Sequence, residues 1–214
     1  MRGSGLKKLS AVAICLLIVL VITVKPSSAQ EKAPEFGVIA GLNFANFSWD
    51  IPDGSFETVS AIKFGVGGIL LYPLSEFLEL QVEVMYLQKG AKLDMFEGFK
   101  VDKKWKFAYL SVPVLGRYNL GSGDASTYVV AGPEFGYLLS AEVETSEGSE
   151  DVKDELKSIE FGISVGAGVS MNMGSTPMFG EVRYSMGLSD MDDSSDDDSS
   201  VKSRGIQLFV GMMF

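Results

Sequence analysis

Seven charged residues stand at alternating positions inside segments that are otherwise apolar or glycine-rich: Lys63, Glu79, Glu83, Arg117, Glu134, Glu181 and Arg183. Four carboxylates and three cations in such company can do one of two things. They can pair and satisfy one another in a narrow polar interior, because a buried charge left unpaired costs several kcal/mol. Alternatively they can line a path for ions, since rings of charge select what passes. Acid–base or nucleophilic catalysis is poorly supplied. The chain has no histidine, and its single cysteine, Cys15, lies in an N-terminal apolar run. That removes the commonest general base and metal ligand, and a histidine-dependent triad or dyad with them.

Two acidic stretches invite a metal reading. Residues 190–200, "DMDDSSDDDSS", carry Asp190, Asp192, Asp193, Asp196, Asp197 and Asp198. Hard divalent cations take oxygen ligands, but this spacing fits no calcium-loop pattern and lacks its glycine. A solvated acidic loop is the expectation, and no metal site or cofactor is assigned. Residues 140–158 are acidic too, with a short helix expected from about Glu150 to Lys157. Carboxylates such as Glu150 and Asp151 on a flexible loop lack the walled cleft that shifts a pKa usefully.

The elements that must position these groups read as strands. Period-2 alternation recurs near residues 36–46, 62–72, 78–88, 108–118, 128–139, 161–171, 178–188 and 205–214. In the third, Leu78, Leu80, Val82, Val84 and Tyr86 point one way, and Glu79, Gln81, Glu83, Met85 and Leu87 the other. The apolar faces of all eight carry no charge, and the opposite faces are rich in glycine (Gly41, Gly65, Gly67, Gly166, Gly168 and Gly211 among them). Pro113 and Pro133 each remove a ladder hydrogen bond, so bulges are expected there.

The N-terminus reads as a secretory leader. Arg2, Lys7 and Lys8 precede the apolar run Ala11–Val24, and "PSSAQ" offers Ala29 as a small residue before a cut at Gln30. The run is short for a spanning helix. Residues 1–29 are thus the expected signal peptide and 30–214 the mature domain. The leader holds four basic residues and no acid, so processing takes the formal net charge from −10 to −14. Nucleic acid is an unsuitable partner for such a surface.

Which face is inside follows from three features. The glycine-rich faces carry too few charges for a water-exposed surface. An eight-stranded barrel has room inside only for packed side chains, and small or pairable residues suit it better than rows of Phe, Leu and Tyr. The connections also alternate, short at 73–77, 119–127 and 172–177 and long at 47–61, 89–107, 140–160 and 189–204. Short inner turns and long outer loops mark an outer-membrane barrel. The fold class is therefore all-β, an eight-stranded antiparallel transmembrane barrel in the bacterial outer membrane, with lipid as its solvent. Tyr72, Tyr86, Tyr118, Tyr137 and Tyr184 suit an interfacial girdle. The terminal strand ends in Phe214, the type of signal read by the outer-membrane assembly machinery. Lys103, Lys104, Lys106 and Arg204 lie at outer strand ends, to meet lipopolysaccharide phosphates or simply to snorkel. Trp49 and Trp105 are interfacial anchors or loop residues.

The segments "YLSVPVLGRY" (109–118), "VVAGPEFGYLLSAE" (129–142), "FGISVGAGVSM" (161–171) and "GVIAGLNFANF" (37–47) resemble the PorT-like family of small outer-membrane barrels. The resemblance runs from about Phe36 to Phe214, and it implies that both prolines belong to the scaffold. The family's namesake takes part in type IX secretion, but the shared residues are scaffold residues and carry no functional motif across. Two readings stay open. One is a structural or interaction barrel with acidic surface loops, an accessory to secretion or envelope function through a protein partner. The other is a narrow ion or small-solute channel. An enzyme is not expected.

Overall fold

The structure, a computed structural model, describes residues 33–214 apart from 52–53, 58, 97–98, 122, 146–147, 174–175 and 190–199. The expected leader (1–29) and nearly all of the Asp-rich run lie outside the described residues. Ten strands follow in order: β1 (Glu35–Ile51), β2 (Gly54–Glu57), β3 (Val59–Pro73), β4 (Leu78–Phe96), β5 (Phe99–Asn119), β6 (Ala125–Thr145), β7 (Gly148–Asp151), β8 (Ile159–Met173), β9 (Thr176–Gly187) and β10 (Ser200–Met213).

Eight of these form a closed antiparallel barrel in the order β10, β9, β8, β6, β5, β4, β3, β1, with β1 pairing back onto β10 from Gly37↔Met213 to Asp50↔Ser200. Closure removes the sheet edge, which is how backbone polar groups are satisfied where there is no water. β2 and β7 are short hairpin arms on β1 and β6. The Phe214 N–H continues the closing ladder by donating to the Phe36 carbonyl at 2.7 Å.

The alternation separates the two faces as the strand pleat requires. Phe36, Val38 and Leu42 on β1, Ile62, Phe64 and Val66 on β3, and Ile163, Val165 and Val169 on β8 are all exposed. The outward face of β6 stays apolar from Val129 to Leu139 and turns to Ser140 and Glu142 beyond. That length matches what a tilted membrane strand needs. Tyrosines flank the band: Tyr118, its ring tilted against Phe77 (6.5 Å), toward the short turns, and Tyr86, near Phe64 (5.8 Å), toward the other edge. The short β5–β6 turn passes through Gly123, whose φ of 132° is reserved for glycine.

Four expectations need correction. The long loop expected at 89–107 is mostly strand, because β4 and β5 continue as one hairpin to residues 96 and 99. Beyond the lipid their outward residues are charged (Lys92, Lys104, Lys106) while the inward ones stay apolar (Ala91, Trp105, Phe107). The charge density resembles a loop although the period of two persists. The helix expected near Glu150–Lys157 is only a 3-10 turn, Lys153–Glu155, after β7 folds back on β6.

The prolines do not create bulges. The β5–β6 ladder lapses over residues 114–115 yet resumes at Gly116↔Ala131 in the register of Pro113↔Glu134. Ile163 pairs with Pro133 without a shift. The register slips instead between Ala108 and Tyr109. A missing donor deletes a bond but adds no residue, so register survives.

The interior is also bulkier than the glycines suggested. It holds one apolar cluster of Ile39, Leu71, Leu87, Leu115, Phe179 and Phe209 with their neighbours, and a second around Phe47, Trp105, Phe107, Tyr109 and Leu138. Glycines directly across the ladder on the neighbouring strand make the room. A Cβ at Gly168 would overlap the Tyr128 ring, and one at Gly211 would overlap Phe179.

Candidate functional site: the layered lumen

Each barrel strand sends alternate side chains inward, and the levels can be followed from the short-turn end outward. Lowest are Glu79 on β4 and Arg117 on β5, a ladder pair with Nε 3.3 Å from the carboxylate. The Arg117 guanidinium lies over the Tyr128 ring, its carbon 3.6 Å from the ring centre, and so gains a cation–π contact in a buried setting.

Above lies the Arg183 network. Arg183 on β9 donates from Nη2 to Glu83 Oε1 (2.7 Å) and from Nη1 to Glu83 Oε2 (3.1 Å), a bidentate pair with a residue on the opposite wall. Its Nε donates to Glu181 at 2.9 Å. Two carboxylates face one guanidinium, and the excess is met by Gln81, whose amide donates to Glu83 (2.6 Å) and Glu181 (3.3 Å). Phe209 covers the guanidinium from β10.

A second network sits nearer the long-strand end. Lys89 on β4 is 3.1 Å from Glu160 and 3.7 Å from Glu134. Hydroxyls again supply what one cation cannot. Ser111, Ser164 and Ser185 donate to Glu134 at 3.0, 2.7 and 2.8 Å, and Ser203 donates to Glu160. The second apolar cluster closes over this layer, with Val152 and Leu156, on either side of the 3-10 turn after β7, packed against it. The chemistry of both layers is charge fixation: every carboxylate in them faces a cation, and neutral donors bind much of the surplus, although Glu160 Oε2 is buried without a hydrogen-bond partner among the described residues.

Six of the seven inward charges read from sequence, Glu79, Glu83, Arg117, Glu134, Glu181 and Arg183, are buried in the lumen. They do not form one cluster, since Glu134 belongs with Lys89 and Glu160 rather than with Arg183. Lys63 stands apart. It is half-buried, its chain runs beside Gly90, and the charges acting on it are Lys106, Glu144 and Lys92. Sequence reasoning missed Lys89 and Glu160 because both fell in expected loops. The signal was present: Lys89 continues the inward series 79, 81, 83, 85, 87 and Glu160 the series 166, 164, 162.

The four outer cations also divide. Lys104 and Lys106 face outward on β5, and Lys106 pairs with Glu144. Lys103 lies on the other face, over the Trp105 ring at 5.2 Å. Trp105 itself is buried in the upper cluster and does not anchor an interface. Arg204 is on β10, across the barrel from β5. Lys104, Glu144, Thr145, Gly148 and Ser149 line an open groove of about 240 Å³.

The family described as "Outer membrane protein beta-barrel domain" matches residues 27–193. No curated protein matches the chain. Among solved structures, a major outer membrane protein from Thermus thermophilus is 11% identical, covers 86% of this chain and 100% of its own, and superposes with a TM-score of 0.52. The attachment invasion locus protein Ail of Yersinia pestis (18% identity, TM-score 0.45) and Neisserial surface protein A (16%, 0.47) cover the same shares. These likenesses concern fold.

Proposed function

We propose that this chain, which belongs to the family of outer membrane protein beta-barrel domains, is a closed, non-conducting barrel that carries an interaction platform on the outer surface. The observation that carries this reading is the cross-lumen pair Arg183–Glu83, stacked between apolar layers and followed by a second charged layer at Lys89. A path for ions needs mobile water beside its charges. Here the charges bind one another across the lumen.

The platform is the wall formed by β4, β5 and β6, which continues well past the apolar band, with the arms β2 and β7 beside it. We assign that end to the outside, since short turns and both strand termini share the other end. Residues 1–29 are then the leader removed on export, and Phe214 the contact read by the assembly machinery. Within the family we place the chain in the PorT-like branch, on the segments around Pro113 and Pro133. A protein partner in secretion or envelope function fits a platform better than it fits a lumen. Catalysis has no part in this reading, because the buried carboxylates hold cations rather than proton-transfer partners.

Planar-bilayer recording of the purified barrel tests it. The expected result is a baseline without reproducible steps. Stable single-channel steps that vanish on replacing lumen charges would overturn the closed reading in favour of the narrow channel.

A further inference from the structure

The β3–β4 ladder lapses between Ser60↔Ala91 and Gly65↔Leu87, where residues 61–64 of β3 lie opposite residues 88–90 of β4. One extra residue on β3 makes this a bulge, and a bulge takes main-chain groups out of the ladder. The Gln88 carbonyl falls in the lapse. It accepts a hydrogen bond of 2.8 Å from Nδ2 of Asn43, which reaches it from β1, on the far side of β3. That bond sets the orientation of the Asn43 amide. With the nitrogen committed to Gln88, Oδ1 must face the other way.

Asn43 is only 2% exposed, and its Oδ1 accepts no hydrogen bond from the described residues. Gln207 on β10 is its ladder partner, is 2% exposed as well, and holds Oε1 in the same condition. A buried acceptor left unmet is costly, so two side by side call for a common donor. Both residues line a cavity of about 10 Å³, together with Lys89, Ser185, Ser203 and Gly205. Gly205 keeps the space before the acceptor clear: a Cβ there would stand 2.7 Å from Asn43 Oδ1. Lys89 has donor capacity to spare. An ammonium group carries three N–H donors, and this one lies 3.1 Å from Glu160 but 3.5 Å from Ser203 and 3.7 Å from Glu134.

A ligand for this cavity must be small, donate to two amide oxygens and accept from an ammonium group. A metal cation would sit beside the Lys89 charge, and an anion would face two carbonyl-type oxygens. Water meets both demands, and the volume admits one molecule with three partners, the usual number for a buried water. We propose that a single structural water occupies this cavity, donating to Asn43 Oδ1 and Gln207 Oε1 and accepting from Lys89 Nζ. It ties the Lys89 layer on β4 to β1 and β10, the two strands that close the barrel. This goes beyond the closed-lumen reading, which concerns passage along the axis, whereas the water is a fixed bridge between strands.

The test is a high-resolution crystal structure of the full mature barrel, with two variants at Gln207. Wild type is expected to show one ordered water within about 2.7–3.2 Å of Asn43 Oδ1, Gln207 Oε1 and Lys89 Nζ. Gln207→Met keeps the length of the side chain and removes the acceptor, so the water should be lost while the Asn43–Gln88 bond stays. Gln207→Glu keeps an acceptor oxygen and should keep the water. Heat-modifiable electrophoretic mobility confirms that each variant barrel is closed, so loss of the water is not confused with loss of the fold. A Gln207 amide donating directly to Asn43 Oδ1 in wild type would overturn the site and leave the closed lumen standing. So would a water that persists unchanged in Gln207→Met. An anomalous signal at the site after a rubidium soak would assign it to a cation and overturn the water. An unbroken file of waters along the lumen would overturn both the single site and the closed reading.

Discussion

Arg183 and Glu83 lie on opposite walls of the barrel, 100 residues apart in sequence, and meet through two parallel hydrogen bonds. The pair ties β9 to β4 directly through the lumen, so the wall is braced across as well as around. Neither side chain has exposed surface. Its energetic value therefore depends on completeness. Removing Arg183 alone leaves Glu83 and Glu181 buried without their cation, with the Gln81 amide still donating to both.

Arg183→Met is expected to destabilise the barrel by about 3–5 kcal/mol, because it strands buried carboxylates. Adding Glu83→Gln and Glu181→Gln should restore most of that loss, since the amides need no counter-cation. Urea unfolding in lipid vesicles measures both. A single variant as stable as wild type would mean that water already solvates the layer, which is also what a conducting lumen requires.

The apolar band makes an opposite demand on the other face of the same strands. Val165 lies at the middle of β8 and is 54% exposed. Val165→Arg should cost about 2–4 kcal/mol, as for a cation on the lipid face near the bilayer midplane. In a water-soluble barrel the same change would be nearly neutral. Unfolding titrations of the variant in vesicles distinguish the two, and a neutral outcome contradicts the membrane placement.

Packing inside the barrel depends on where a side chain is absent. Tyr128 lies against Gly168 and supports the Arg117 guanidinium. Gly168→Ala must displace that ring, at about 1–3 kcal/mol for overpacking. Combining it with Tyr128→Leu should cost less than the two changes summed, because the overlap then disappears. Strict additivity would show that the ring moves aside without resistance.

How much of this was legible follows from what a period of two reveals. It separated the outward Val66, Val84 and Val182 from the inward Glu83 and Arg183, and it gave the eight barrel strands and their antiparallel order, though not the arms β2 and β7. It could not say where the lipid stopped. Lys92, Lys104 and Lys106 obey the same alternation as Val84 and Leu110, yet their charge reads as loop. The missed half of the lumen, Lys89 and Glu160, is the direct consequence. Nor does alternation reveal which inward charges meet. Glu134 and Glu83 look equivalent in sequence, and only closure of the ring brings Lys89 to the first and Arg183 to the second. Proline was misread for a related reason: it deletes a donor, whereas a bulge needs an extra residue, which the sequence around Pro113 does not supply.

Above the membrane, electrostatics should be visible in titration. The Glu144 carboxyl is held below its ordinary value, first by the hydrogen bond from Lys106 and further by the charges of Lys106, Lys104 and Lys63, which together outweigh the opposing desolvation. A carboxylate with a depressed folded-state pKa contributes stability at pH above its unfolded value and loses it as pH falls through the lowered one. Because the group is exposed, salt screens this contribution. In Lys106→Gln the Glu144 titration should therefore move up toward the ordinary carboxylate range, and in wild type it should move up with added salt. Carbon-13 carboxyl shifts against pH, with Glu144 assigned by Glu144→Gln, give the measurement. A midpoint indifferent to both changes would mean that Lys106 does not hold the carboxylate in solution.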